Sequence, residues 1–295
     1  MMIKLQAYAK INLTLEILAK RPDGYHEVAS VLQTVSLADT LTFEPVERLD
    51  FRCDVPNLQS PDNLVLKAAK LLQETTGYSK GAVIHLTKRI PIAAGLGSGS
   101  TDAAATLVGL NQLWELNLSL ERLVGLASKL GSDVAFFLYG GTALAKARGE
   151  EITPLPPAPE LWLVLLKPAV KPVPNKTAQL YSRLNLSHFT SGQHTRKLVA
   201  HLNHGGNVDD SFLFNVFEQV AFDFFPGLSD YRSSLLKAGA RKVHLAGSGP
   251  ALFAIVPDKT HGEAILKRLE NEGQKAYLVH TINAAPLAVR GERQC

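Results

Sequence analysis

The chain opens on an alternating pattern. Leu5, Ala7, Ala9, Ile11, Leu13, Leu15 and Ile17 fall on one side of a period-two stretch, and Tyr8, Lys10, Asn12 and Thr14 fall on the other. Such alternation predicts a strand in which Lys10 and Asn12 share a face. Apolar runs at Ala29–Val35, Leu41–Val46 and Leu49–Cys53 predict three further strands separated by turns. The spacing then changes to three and four. Leu64, Ala68, Leu71 and Leu72 mark a helix from Asn63 to Thr75, and a strand over Ala82–Arg89 follows. Ala103, Leu107, Leu110 and Trp114 place a second helix over Asp102–Trp114, and Ser119 is positioned to cap a third, Leu120–Leu130. Gly131-Ser-Asp133 begins a short helical or irregular stretch ending at Leu138, and Gly140-Gly141 turns the chain into a strand at Thr142–Lys146.

Pro154, Pro156, Pro157 and Pro159 crowd one short segment, which can lie in neither a helix nor a central strand and so reads as a stiff connector. Beyond it the pattern predicts a fully apolar strand at Leu161–Leu166 and helices near Lys176–Leu184, Thr195–Asn203, Phe212–Phe222 and Leu228–Ala238. A strand–turn–strand over Lys242–Val256, a helix at His261–Glu272 and a last strand at Ala276–Ile282 complete it. Strands and helices mix in both halves without strict alternation, which indicates α+β rather than a doubly wound sheet. The expected division is residues 1–155 and 156–285, followed by a mobile tail, 286–295, that lacks apolar periodicity.

Composition narrows the classes. At 295 residues and 46% apolar the chain can bury one large core or two, and disorder is excluded. It contains no uncharged apolar run of about 18 residues and no secretory leader pattern, so a membrane role is not expected. Cys53 and Cys295 are too few for a disulfide framework, which points to a reducing cytoplasm. The net charge of +4 favours anionic small molecules, whereas no basic block or zinc-finger spacing supports nucleic-acid binding. His188, His194, His201 and His204 lie close together but lack cysteine or carboxylate ligands in register, and read as surface histidines.

The segment with most chemical content is Pro91, Ile92, Ala93, Ala94, Gly95, Leu96, Gly97, Ser98, Gly99, Ser100 and Thr101, which runs straight into the alanine-rich helix. Glycines leave backbone N–H groups unshielded, and a helix start adds unpaired donors and the positive end of its dipole, so a phosphate is the natural ligand. A Walker A loop is excluded because no lysine follows the last glycine. The dinucleotide fingerprint G-x-G-x-x-G fails at Ser100. A flexible loop feeding a core helix is the plain alternative.

That loop, together with Ala9-Lys-Ile-Asn12, Gly24-Tyr-His26 and the glycine turn at Gly247, Ser248 and Gly249, resembles the GHMP small-molecule kinases, in the expected order over most of the chain. The resemblance implies a two-domain α+β fold with the active site in the cleft between domains. It also implies ATP and Mg²⁺, with Ser100 or Thr101 offering a hydroxyl to the metal or a phosphate oxygen. By residues alone Asp133 is a helix N-cap and Lys10 a solvated lysine. The resemblance makes Asp133 the general base and Lys10 its cationic neighbour. It is strongest for members that phosphorylate the 2-hydroxyl of a cytidine-diphosphate-linked methylerythritol on the non-mevalonate route to isoprenoid precursors. There Tyr25 and His26 would bind the cytosine, and Asn12 and the turn Gly247–Gly249 would contact the acceptor. Tyr181 would close on the base, although core packing suits it equally. Ala93, Ala94 and Ser98 stand where many relatives have glycine, and Thr101 where they have serine, which stiffens the loop. Competing readings are a homoserine, mevalonate or sugar kinase of the same family, or a non-catalytic nucleotide sensor. Either a monomer or a homodimer is compatible with the sequence.

Overall fold

The computed structural model describes residues 2–283 and Leu287. The alternating N-terminal stretch forms β1 (Ile3–Lys20), which turns through Arg21–Tyr25 into the antiparallel β2 (His26–Val46). The tip is held locally, with Asp23 accepting from the Tyr25 amide at 3.1 Å and Arg21 bonded to Asp23 and Glu27. The strands expected separately at Ala29–Val35 and Leu41–Val46 are therefore one. No glycine or proline interrupts Ser36–Thr40, and a register shift opposite Tyr8 and Ala9 absorbs the surplus residues as a bulge.

The first half continues through β3 (Asp50–Cys53), α1 (Leu64–Thr76), β4 (Gly81–Thr87), α2 (Ser98–Leu113), α3 (Leu120–Leu130), α4 (Val134–Tyr139), β5 (Thr142–Lys146) and β6 (Glu151–Pro154). Asn63 caps α1 by accepting from the Val65 amide, and Ser119 caps α3 by accepting from the Arg122 amide. After the proline-rich connector come β7 (Trp162–Lys167), α5 (Lys176–Ser182), α6 (Gln193–Asn203), β8 (Phe214–Asn215), α7 (Glu218–Phe224), α8 (Leu228–Lys237), β9 (His244–Leu245), β10 (Leu252–Val256), α9 (Lys259–Asn271) and β11 (Lys275–His280). Two departures from the sequence pattern bear on function. Helix α2 begins at Ser98, not Asp102, because Gly97 takes the left-handed turn (φ 74°) and the end of the glycine run is already helical. The helix expected over Phe212–Phe222 starts only at Glu218, because Phe214–Asn215 pairs in parallel with Thr14–Leu15 and closes the edge of β1.

Among the described residues the first sheet runs β3-β4-β2-β1-β8, with β5 on the far part of β2 and β6 beyond it. The second is the antiparallel β11-β7-β10-β9. This is the α+β architecture expected. One core packs α1–α4 on the first sheet, and a second packs α7–α9 on the other. A third joins the halves, with Ala9, Ile11 and Leu13 of β1 meeting Leu163, Leu165 and Phe253, and Ala94 and Leu96 of the glycine loop packed among them. The polar side of β1 is consequently not a solvent face. Lys10, Asn12, Thr14 and Glu16 are all buried. Glu16 accepts from the amides of His194 and Thr195 and from the Thr190 hydroxyl, satisfying the N-terminus of α6.

Of the tail expected to be mobile, 286–295, Leu287 is described and is buried in the first core; the rest, including Cys295, lies outside the described residues. No helix among the described residues is long and apolar enough to cross a membrane.

The close seating of α2 on the sheet gives a first test. A Cβ at Gly109 would lie 2.4 Å from the ring of the fully buried Phe43. Gly109→Ala is expected to destabilise the fold by about 1–3 kcal/mol through overpacking, read from the midpoint of urea unfolding.

Candidate active site

The site begins with β1. The Lys10 amide donates to the carbonyl of Leu96 at 3.0 Å, pinning the glycine loop along the strand. The Lys10 Nζ donates to Asn12 Oδ1 at 2.7 Å and stands 3.4 Å from Asp133 Oδ2. Asn12 is held in turn by donating to the Ser30 hydroxyl, which donates to the Thr14 carbonyl. Asp133 occupies the N-cap position of α4 but has helical dihedrals and makes no side-chain capping hydrogen bond. Its carboxylate instead faces Lys10 and the cleft. The side-chain capping bond that the cap reading requires is not made.

The glycine loop is shaped by close approach. A Cβ at Gly95 (φ 89°) would sit 1.9 Å from the carbonyl oxygen of Ala246, and one at Gly97 would strike the Phe137 ring at 2.5 Å. Gly99 has a helical conformation, and a Cβ there would meet only the end of the Leu64 side chain at 3.5 Å, an ordinary contact, so its contribution is an unshielded amide. The Thr101 amide is bonded to the Gly97 carbonyl, which leaves the amides of Ser98, Gly99 and Ser100 without intrahelical acceptors at the mouth of α2. Ala93, where a glycine would be relaxed, is held at φ 54°.

The hydroxyls divide. Ser100 faces the cleft. Ser98 also lines it, but its hydroxyl accepts from Lys88 Nζ at 2.6 Å. Thr101 is buried, and its hydroxyl has no hydrogen-bond partner among the described residues, so it is not presented to a ligand in the cleft. Pro91, Ile92 and Leu96 do not line the cleft; Leu96 anchors the loop in the shared core.

Behind the loop lies a network the sequence pattern did not single out. Lys88 Nζ is 2.5 Å from Asp39 and 2.6 Å from Asp102, and all three side chains are buried. Asp39 also accepts from the amides of Arg89 and Ile90, so one carboxylate fixes the strand entering the loop while the other fixes the helix leaving it. Burial pushes the Asp102 carboxyl up to about 7, against the pull of Lys88. The only sequence signal was position, with Lys88 three residues before the glycine run and Asp102 directly after it.

The second glycine turn closes on the first. Ala251 donates its amide to Ala94, and a Cβ at Gly247 would lie 2.8 Å from the Gly95 carbonyl and 3.3 Å from Lys10 Nζ. Gly247 and Ser248 line the cleft, with Ser248 hydrogen-bonded to Thr177 at 3.0 Å; Gly249 packs its backbone against Leu245. Together these elements bound a cavity of about 650 Å³ that includes Lys10, Asn12, Asp133, Arg148 and Lys176.

A second cavity, of about 690 Å³, is lined by Tyr25, His26, Ser132, Tyr181 and Lys20. It shares Ser100, Asp133, Arg148, Thr177, Ala178 and Tyr181 with the first, so the two meet at the Asp133 carboxylate. His26 stacks on Tyr181 with ring centres 4.9 Å apart, and Tyr181 meets Phe217 edge-on; core packing and cavity lining thus coincide at Tyr181. Tyr25 is exposed, with the Arg148 guanidinium 5.0 Å over its ring. Burial, and then the nearby Lys20, lower the His26 pKa, which favours a neutral imidazole with one donor and one acceptor. Arg148, Lys176 and Thr177 were not marked as site residues by the sequence; Arg148 comes from the turn between β5 and β6, and Lys176 and Thr177 from the first turn of α5.

An anion cradle facing a lysine–carboxylate pair, with a ring-lined cavity on the far side of the carboxylate, defines a phosphotransferase acting on a small molecule. Residues 63–141 match the GHMP kinases N terminal domain and residues 194–275 the GHMP kinases C terminal domain. The chain is 45% identical to a 4-diphosphocytidyl-2-C-methyl-D-erythritol kinase of Dehalococcoides mccartyi over 95% of its own length and 99% of that protein. It is 41% identical to the kinase of the same name from Symbiobacterium thermophilum, over 95% and 100%. The crystal structure of a 4-(cytidine 5'-diphospho)-2C-methyl-D-erythritol kinase superposes with a TM-score of 0.80 at 33% identity, covering 95% of this chain and 99% of that one. A homoserine kinase from Cytophaga hutchinsonii shares the fold at 22% identity, with a TM-score of 0.72. The chain belongs to the GHMP kinase family.

The network behind the loop gives the test from this geometry. Lys88→Met would leave Asp39 and Asp102 buried beside each other without their cation. A loss of about 3–5 kcal/mol in stability is expected, measured by chemical denaturation.

Proposed function

We propose that this chain transfers the terminal phosphate of ATP to the 2-hydroxyl of 4-diphosphocytidyl-2-C-methyl-D-erythritol, on the non-mevalonate route to isoprenoid precursors. The observation that carries this reading is the meeting of the two cavities at Asp133. The phosphates of ATP lie on the backbone amides of Gly95–Ser100, which replace the missing Walker lysine with oriented dipoles. The acceptor's cytosine lies against Tyr25 and His26, with Tyr181 beside it, and its polyol reaches toward Asn12 and the Gly247–Gly249 turn. The acceptor O–H bond breaks as its proton passes to Asp133, the oxygen bonds to the terminal phosphorus, and the bond from that phosphorus to the ADP oxygen breaks. Lys10, 3.4 Å from Asp133, fixes the carboxylate and supplies positive charge where the attacking oxygen becomes negative.

The residues present fit Mg²⁺ brought in with the nucleotide. Ser100 offers a hard hydroxyl oxygen at the mouth of the loop, and one such protein ligand completed by phosphate oxygens and water is compatible with this ion. The ion would neutralise charge on the transferred phosphoryl group. The residues divide in this reading into an N-terminal unit, 1–155, carrying the phosphate loop, and a C-terminal unit, 156–285, carrying Tyr181 and the second glycine turn.

A turnover assay with ATP against the cytidylated polyol, homoserine and mevalonate tests the proposal. Phosphorylation of the cytidylated substrate alone is the expected result; preference for homoserine or mevalonate, which have no base to stack on Tyr25, would transfer the chain to another branch of the family.

Two substitutions separate the parts. Asp133→Asn is expected to lower kcat by about 10²-fold or more with ATP affinity and thermal stability nearly unchanged, because the carboxylate makes no capping bond to lose. Near-normal turnover by a folded variant would return Asp133 to a structural role. Tyr25→Ala is expected to raise the acceptor KM by the equivalent of about 1–3 kcal/mol, the value of an aromatic–base stack, and to leave the KM for ATP alone. An unmoved acceptor KM in steady-state kinetics would remove the cytosine from this cavity.

A further inference from the structure

Lys176 is a cation without a carboxylate. Its Nζ donates to the carbonyl oxygens of Ala93, at 3.1 Å, and Gly249, so that it bridges the glycine loop and the second glycine turn. No salt bridge is formed by Lys176 among the described residues, whereas Lys10 has Asp133 and Lys88 has two aspartates. The side chain is turned into the cleft. Burial, and then the charge of Lys10, bring its amine down to about 8. A desolvated ammonium held only by neutral carbonyls is a costly arrangement, and the missing partner is an anion.

Position decides which anion. Lys176 lines the cavity bounded by the glycine loop but not the one lined by Tyr25 and His26, whereas Thr177, Ala178 and Tyr181 line both. It therefore stands on the nucleotide side of Asp133, over the loop whose own sequence offers no lysine. We propose that Lys176 is the phosphate-binding cation of this chain: its ammonium leaves the carbonyls of Ala93 and Gly249 for the terminal phosphates of the bound nucleoside triphosphate, supplying from the C-terminal half the charge that a Walker lysine would supply from the loop. The inference rests on the cleft being the nucleotide site of a kinase. No covalent bond to Lys176 is made or broken. The charged and titratable groups that line the cavity with it are Lys10, Asp133, Arg148 and Tyr181.

The experiment uses the full chain and calorimetric titration with ATP, ADP and AMP in the absence of acceptor, so that its outcome is independent of which alcohol is phosphorylated. Lys176→Met is expected to weaken ATP about 10- to 100-fold, the value of a charge-assisted hydrogen bond, while AMP binds as before. Equal ATP affinity in the variant overturns the proposal. So does an equal loss for ATP and AMP, which would mean that the lysine only ties the loop to the turn. A second arm covers the case in which Lys176→Met fails to fold. Because the amine titrates near 8 in the free protein, wild-type ATP affinity should fall as pH rises through that value. Lys176→Arg, which keeps its charge, should bind ATP with no such alkaline decline. An identical decline in Lys176→Arg and wild type overturns the proposal. Turnover with the cytidylated acceptor, measured on the wild type alongside, reports separately on the assigned substrate.

Discussion

The architecture of the cleft depends on one close approach. The backbone at Gly95 lies so near the carbonyl of Ala246 that no Cβ could stand between them, and Gly247 returns the same closeness against the Gly95 carbonyl and the Lys10 side chain. Because Leu96 and Ala94 are anchored in the core shared by both halves, this contact sets the distance between the helix mouth at Ser98–Ser100 and everything contributed by the C-terminal half. Glycine here is a requirement of packing more than of flexibility. A cradle built this way holds its amides in fixed orientation, and in the proposed reaction such preorganised donors would need little reorganisation as charge moves.

Three lysines surround that cradle in three electrostatic states. Lys88 is buried behind it and neutralised by Asp39 and Asp102, so it acts on the loop's shape. Lys10 is buried at the floor of the cleft and shared between Asn12 and Asp133, so it acts on the carboxylate. Lys176 lies across the top and, among the described residues, has only carbonyl partners, which is why we assign its charge to the ligand. Identical side chains thus differ in task according to what compensates them, since an ion pair already satisfied in the interior has little to offer an incoming phosphate.

The ring-lined side of the cleft is built more loosely. Tyr25 is 57% exposed at the tip of the β1–β2 hairpin, while His26 and Tyr181 are packed on one another and on Phe217. This cavity therefore has one exposed face and one packed face. The packed face comes from the C-terminal half and the exposed one from the N-terminal half, with Asp133 at the boundary of the two cavities.

The sequence by itself determined the local elements and the kind of chemistry. Period-two alternation fixed β1 and the shared face of Lys10 and Asn12, Ser119 marked the start of α3, and the glycine spacing marked a loop that opens a helix with unshielded amides. These are decided by residues within a few positions of one another, which is why they can be read. Tertiary structure decided what depends on distant partners. By its neighbours in sequence Asp133 reads as a helix cap, and only the fold shows that its carboxylate makes no capping bond and faces Lys10, more than a hundred residues away. Phe214–Asn215 became a strand because β1 had an edge to close, and α2 started early because Gly97 could turn where Phe137 left no room for a side chain. Asp39, Lys88 and Asp102 carry no pattern, since a buried ion network has no period along the chain, and Lys176 is recognisable only by the carboxylate it lacks. Spacing along the chain records which face a residue shares, whereas charge compensation in the interior is a property of the assembled space.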